Sequence, residues 1–253
     1  ASDFLVCPGN HDICWANQAA RYEPSALVTV ASETAQANYI EFVKNALGFE
    51  LAPGVLDIGR HLLLANGVAL DIIALNSSQL EQQDFAGYGF VSGKQLNRAI
   101  EEMGWQAAAK GARYRMLVLH HHVVPVLSVE TIDRLDARYS VTLDAGELLY
   151  RALELEVDLV AHGHMHKPFG AIYGRFDTRS GHVADTRRVA IQAAGSAGVD
   201  ADHLPNGVGR NSYLIYEFHP EHVRVRRRAT SPNADRFDDD GEHLLHRGEA
   251  GLQ

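Results

Sequence analysis

The sequence predicts an α/β fold built as one large domain. Strand-like apolar runs alternate with helix-spaced segments as far as residue 161. A run of strand-like segments then completes the chain, the pattern of α/β layering with antiparallel additions. With 253 residues, 46% hydrophobic and 22% charged, the chain is long enough to bury one large core. Residues 3–7 read as a buried strand ended by the Pro8-Gly9 turn. From Glu33 to Leu47 the apolar residues Ala37, Ile40, Phe42, Val43 and Leu47 recur at helical spacing, with Gly48 as C-cap. Residues 62–65 and 68–75 read as strands joined by the hairpin signal Asn66-Gly67, the second apolar enough for a sheet centre. A loop with Gly87 and Gly89 leads into a helix from Ser92, its N-cap, to Ala109. A strand at 114–119, a loop containing Pro125 and a helix from Asp144 to Leu155 come next. Strands at 157–161, 188–194, 212–219 and 222–228 follow, the last pair turning at Pro220-Glu221. From Ala229 onward the chain is polar and charged and reads as a mobile tail, which sets a domain at 1–228 and a tail at 229–253.

Composition narrows the function classes. The net charge of −9, with His neutral, excludes a hold on nucleic acid by bulk charge, though not a local basic groove. Asp238-Asp239-Asp240 reads as a solvated cluster in the tail, and Arg224-Val225-Arg226-Arg227-Arg228 as an exposed terminal strand whose charge opposes aggregation. Cys7 and Cys14 are too few for a disulfide framework and form no Cys-x-x-Cys pair, so reduced thiols in a cytoplasmic protein are expected. No apolar run approaches the length of a membrane span. The chain begins inside a predicted strand, so a natural start upstream, with any leader it carried, is compatible with it.

Three short segments carry the chemistry: Gly9-Asn10-His11-Asp12, His120-His121-His122 and Gly163-His164-Met165-His166. Each directly follows a buried-strand pattern. Imidazole and amide groups converging at neighbouring strand ends suit a hydrolytic metal centre. His164 and His166, two apart, can share one side of an extended strand end or, in a tight loop, address two adjacent ions. Of the triplet, His120 is first after its strand and is the chosen ligand, His121 is the fallback and His122 a hydrogen-bonding neighbour. The Asn10 amide oxygen can bind a hard or borderline ion. His11 suits general acid work because imidazole titrates near neutral pH, and Asp12 can accept its hydrogen bond and fix its tautomer. Two other chemistries fail on spacing. Ala194-Gly195-Ser196-Ala197-Gly198 has Ala where a nucleophile elbow needs Gly, and reads as close backbone packing near the site. Gly87, Gly89 and Gly93 do not match a dinucleotide fingerprint, and no Walker-type loop occurs.

In order and local context the three segments resemble the calcineurin-like metallophosphoesterases, a superfamily with Gly-Asn-His-Asp, a strand-end His and Gly-His-x-His. Leu75-Asn76-Ser77-Ser78, Gly93 and Gln95-Leu96 extend the likeness, which covers residues 3–218 and by texture is nearest the bacterial cyclic-nucleotide and glycerophosphodiester phosphodiesterases. The resemblance implies a four-layer α-β-β-α sandwich of two mixed sheets flanked by helices. It also implies two transition-metal ions (Fe, Mn or Zn) and cleavage of phosphodiester or phosphomonoester bonds through a metal-activated hydroxide. Carried over by position, Asn10, His120 and His164 would hold one metal, His166 would help hold the other, and His11, oriented by Asp12, would protonate the leaving oxygen.

The match breaks at the front. The family's Asp-x-His and Gly-Asp motifs are absent, and no Gly-Asp dipeptide occurs anywhere. Asp200-Ala201-Asp202-His203 lies in a Gly- and Pro-flanked loop, and Asp240-Gly241-Glu242-His243 in the predicted tail. One metal position keeps three protein ligands and the other only His166, so at most one ion is expected to be well held. A fragment lacking the N-terminal strands is the simplest account, and its bared sheet edge would invite pairing with a second copy. The expected substrate is a small phosphoester, chosen by a rim at 125–143 that includes Asp133, Arg134, Asp136 and Arg138. The competing reading is a non-catalytic scaffold on the same fold that binds protein partners. A scaffold has no use for Asn10, His11, His120, His164 and His166.

Overall fold

Four parallel strands organise the molecule. A computed structural model describes residues 4–13, 33–80, 87–105, 111–125, 141–175, 187–200, 204, 209–231 and 236–253. Strands β1 (Ile58–Leu63) and β2 (Ala69–Ala74) form the predicted hairpin, in register from Ile58 opposite Ala74 to Leu63 opposite Ala69. Its turn is closed by Leu64 N–H to Val68 O and Gly67 N–H to Leu64 O, each 2.9 Å. The first strand starts earlier than the apolar pattern suggests, because His61 sits opposite Asp71 and hydrogen-bonds with its carboxylate at 2.8 Å, while Arg113 ion-pairs with the same carboxylate at 2.7 Å.

β2, β3 (Arg113–Val118), β4 (Leu159–His162) and β6 (Arg188–Ala194) run parallel, so their carboxyl ends share one edge of the sheet. An additional strand that hydrophobic patterning missed, β5 (Pro168–Gly174), pairs antiparallel with β6. β10 (Gly251–Leu252) pairs parallel with β6 and carries the sheet on to β9 (Phe237–Gly248), β8 (His222–Thr230) and β7 (Ser212–Phe218), all antiparallel. The two expected sheets are therefore halves of one mixed, ten-stranded sheet.

Alternation along β3 shows how the layers form. Tyr114 and Met116 face a core shared with Phe218, Val223, Val225, Leu245 and Leu252 of the second half, while Leu117 and Leu119 face the helices. Those helices are α2 (Gly93–Glu102) and α3 (Ala145–Glu154), which bury Leu96, Ile100, Leu148 and Leu149. Ser92 caps α2 as predicted, accepting Gln95 N–H at 3.3 Å, but the helix stops well before Ala109, where Gly104 takes a left-handed turn (φ 63). Asp144 ties the two helix starts together by accepting Val91 N–H at 3.0 Å and Ser92 N–H at 2.8 Å.

The tail prediction is overturned for residues 237–248, which form β9. Opposite charges explain why so polar a segment pairs. Arg228 meets Asp239 at 2.7 Å, Asp240 takes Arg210 and Arg227, and Arg224 and Arg226 share Glu217. The arginine run accordingly lies in β8, an inner strand between β7 and β9 rather than a terminal one, and the aspartates are partnered rather than merely solvated. With charge on that face and Val223 and Val225 inward, the two halves of the mixed sheet share one core, and helices flank the sheet as expected. No helix is long and apolar enough to cross a membrane among the described residues.

The N-terminal prediction also changes. Residues 4–9 form no strand; instead Val6 packs with Ile13, Ala35, Tyr39, Val43 and Leu56 in a small separate core. That core seats α1 (Glu33–Phe42), which continues as a π turn over Val43–Leu47 to Gly48, the predicted cap.

Candidate metal centre

The carboxyl ends of β2, β3, β4 and β6 bring the site together, where an open parallel sheet leaves its crevice. Ser77 follows β2, His120 to His122 follow β3, and His164 and His166 follow β4. Asn10 and His11 arrive on a separate 3-10 turn, Asn10–Asp12. Gly9 permits that approach, since an added Cβ there would stand 3.0 Å from the His120 ring. The hydrogen bond described for the Asp12 carboxylate is to Gly9 N–H at 2.8 Å, with Asp12 N–H returning to Gly9 O at 3.1 Å. Asp12 thus closes the turn that presents Asn10 and His11.

Three of the predicted ligands meet. His120 Nε2 lies 2.9 Å from Asn10 Oδ1 and 2.9 Å from His164 Nδ1. A ring N–H of His164 also serves the Gly87 backbone, which favours its charged form. A neutral ring has one proton to give, so giving it to Gly87 leaves a lone pair for the contact with His120. The neutral centre then holds a single proton among three converging atoms, the place a cation would take. Around an ion with 2.0–2.1 Å bonds, tetrahedral donor atoms stand roughly 3.3 Å apart, so small outward shifts would admit one. The residues present fit a metal ion.

His121 joins this group. His120, His121 and His164 each place a ring nitrogen within 4.8 Å of the others, a triad that could bind a metal. The predicted fallback thus lies at the site alongside the predicted ligand, and its fully buried ring packs 4.5 Å from that of His164. His122, predicted as a hydrogen-bonding neighbour, instead packs its ring at a tilt against that of His162, 4.7 Å away, and neither of its ring nitrogens has a hydrogen-bond partner among the described residues.

Burial sets the electrostatics. His120 is pushed down to about 3, first by desolvation and then by the rings of His164, His11, His166 and His122. His164 falls to about 4 by burial, then by His122, His166 and His11, against the Gly87 bond. His121 is held well below its ordinary value by burial and by His164, His120 and His122. These rings are therefore neutral at pH 7, the form that ligates a metal. His11, exposed at the rim, and His166 both lie near enough for their charge to act on His120 and His164.

Backbone strain marks the same loop. His164 (φ 73) and His166 (φ 56) sit in the left-handed region, which costs non-glycine residues about 1 kcal/mol or more each. Gly195, in the segment read as closely packed, has φ +85, and a Cβ there would meet Ser212 Oγ at 2.6 Å and His166 O at 3.4 Å. Gly195→Ala is expected to cost about 2 kcal/mol by left-handed strain and overpacking, also disturbing the Ser212 bond to Ala194 O. An unchanged urea midpoint would contradict this.

Several predicted features lie outside the described residues: Cys14, the rim residues Asp133, Arg134, Asp136 and Arg138, and Ala201-Asp202-His203. Asp240-Gly241-Glu242-His243 lies in β9. The Cys7 thiol is raised to about 12, chiefly by burial and then by the Asp12 carboxylate, which leaves it unreactive.

No family model matches the chain, and no curated protein matches it. Among solved structures, purple acid phosphatase PPD1 from yellow lupin (Lupinus luteus) seeds is similar at a TM-score of 0.48 and 11% identity, over 95% of this chain and 40% of that one. A Vps29 double mutant from Entamoeba histolytica is similar at a TM-score of 0.25 and 11% identity, over 63% of this chain and 81% of that one. This chain spans less than half the length of the lupin phosphatase. Likenesses this distant carry no argument about what this chain does, which rests on its own residues.

Proposed function

We propose that this chain is a metal-dependent phosphoesterase acting on a small phosphodiester or phosphomonoester. The observation that carries the reading is the convergence of Asn10 Oδ1, His120 Nε2 and His164 Nδ1 at 2.9 Å contacts where parallel strands end. A bound Fe, Mn or Zn ion would polarise a phosphoryl oxygen and acidify water. Asn10, His120 and His164 would hold that ion, and His166 would help to hold a second one more weakly. His11, exposed on the turn that Asp12 closes, donates a proton to the leaving oxygen.

Metal analysis together with bis(p-nitrophenyl) phosphate hydrolysis tests the reading. Near-stoichiometric Fe, Mn or Zn and metal-dependent turnover support it. A protein that takes up no metal and turns over nothing leaves the scaffold reading instead. His11→Ala is expected to retain metal and to lose turnover most, by about 100-fold, on substrates with poor leaving groups. Equal losses on good and poor leaving groups would remove His11 from the role of acid.

A further inference from the structure

We infer that the Ser77 hydroxyl fixes the tautomer of His121, keeps that ring out of the ligand set, and so leaves the ion a coordination position that no protein atom fills. This rests on the metal-dependent reading above and decides what kind of site it is. Asn10, His120, His121 and His164 together would make four protein ligands, the closed set of a structural metal, whereas a catalytic metal keeps a position free.

Ser77 Oγ has two lone pairs and one proton. It accepts the backbone N–H of His120 at 3.2 Å and that of His121 at 3.1 Å, which uses both lone pairs. Its remaining contact, 2.9 Å to His121 Nδ1, is then the hydroxyl proton donated to the ring. A neutral imidazole that accepts at Nδ1 carries its proton on Nε2, and a protonated nitrogen cannot coordinate. Ser77 and His121 are both fully buried, so water offers no competing partner to the hydroxyl. His121 Nε2 is itself buried without a hydrogen-bond partner among the described residues. It is the donor left over for an oxygen atom entering the open position, whether of water or of a phosphoryl group. Ser77 therefore acts as a positioning residue in two ways: it holds the turn that aims His120, and it selects the proton-bearing nitrogen of His121.

The first test needs no metal. Long-range nitrogen–proton NMR on protein labelled with nitrogen-15 in histidine is expected to show His121 in the Nε2–H form. The Nδ1–H form would overturn the inference. The second test counts ligands by X-ray absorption on the cobalt-loaded protein. Two imidazoles are expected in the wild type and in His121→Phe, with Co2+ affinity kept within about threefold. Loss of Co2+ in His121→Phe would overturn the inference. In Ser77→Ala the freed Nδ1 takes the proton, so the count is expected to rise to three, with slower turnover. Ser77→Thr, which keeps the hydroxyl, is expected to restore two. A count of two in Ser77→Ala with His121 still Nε2–H also overturns it. If wild-type protein binds no Co2+ at all, the metal-dependent reading fails instead, and the NMR result on metal-free protein still judges the tautomer.

Discussion

His164→Ala is expected to abolish metal binding and, with it, all phosphodiesterase turnover above background. Three protein ligands become two, because the ring that supplies Nδ1 at 2.9 Å from His120 is gone. Removing even a supporting hydrogen bond around a metal costs roughly 10- to 100-fold in affinity, and removing a ligand costs more. The effect on folding should be smaller. Alanine at position 164 keeps a Cβ in the same left-handed backbone, so that strain is unchanged. Elemental analysis after dialysis, with hydrolysis of bis(p-nitrophenyl) phosphate, reads the outcome. Wild-type metal content and rate in the variant would refute the site assignment.

The second large effect is on acid stability of the metal-free protein. Burial pushes His120 and His122 to about 3, His162 and His164 to about 4, and His121 well below its ordinary value. In the unfolded chain each of these rings titrates near 6.5. Above that pH they are neutral in both states and contribute no pH dependence. As pH falls below 6.5, the unfolded chain takes up protons that the folded core refuses, so stability declines. The decline continues until the folded rings themselves titrate, at about 4 and 3. Each ring contributes at most about 1.4 kcal/mol per pH unit over that window. Even two rings acting together would therefore remove roughly 3 kcal/mol per unit, a large part of a typical domain's stability. Urea midpoints measured in a chelator should fall steeply from pH 6.5 to 5, and a saturating metal should flatten the decline by competing with protons for the same nitrogens. A midpoint that stays level across that interval would mean the rings are not buried as described.

The site is more fully legible in the sequence than the edges of the fold are. Asn10, His120 and His164 were legible because each follows an apolar run; parallel strands deliver His120 and His164 to one edge, and a separate turn brings Asn10 to them. The choice between His120 and His121 was open at that level. Adjacent residues after a strand differ in direction, and only the fold shows both rings near His164, with Ser77 between their backbones. Asp12 was legible as a neighbour of His11 but not as the residue that closes its own turn onto Gly9. β9 was missed because Asp238, Asp239 and Asp240 look like solvated tail until Arg210, Arg227 and Arg228 are known to face them. The strand predicted at 3–7 failed for the converse reason: apolar residues can be buried by packing on α1 without pairing in a sheet.

Local chemistry alone determined that this chain alternates strands and helices, that imidazole groups stand where buried strands end, and that an amide follows a short apolar run and a turn. Those features depend on period, on residue type and on a few turn signals, all written within a dozen neighbours. Tertiary structure alone decided which atoms meet: Oδ1, Nε2 and Nδ1 from three distant segments, and a serine hydroxyl whose lone pairs are already spent. The physical reason is range. Hydrogen-bond valence and desolvation act between groups brought together by the whole sheet, and residues 10, 77, 120 and 164 become neighbours only after it has closed.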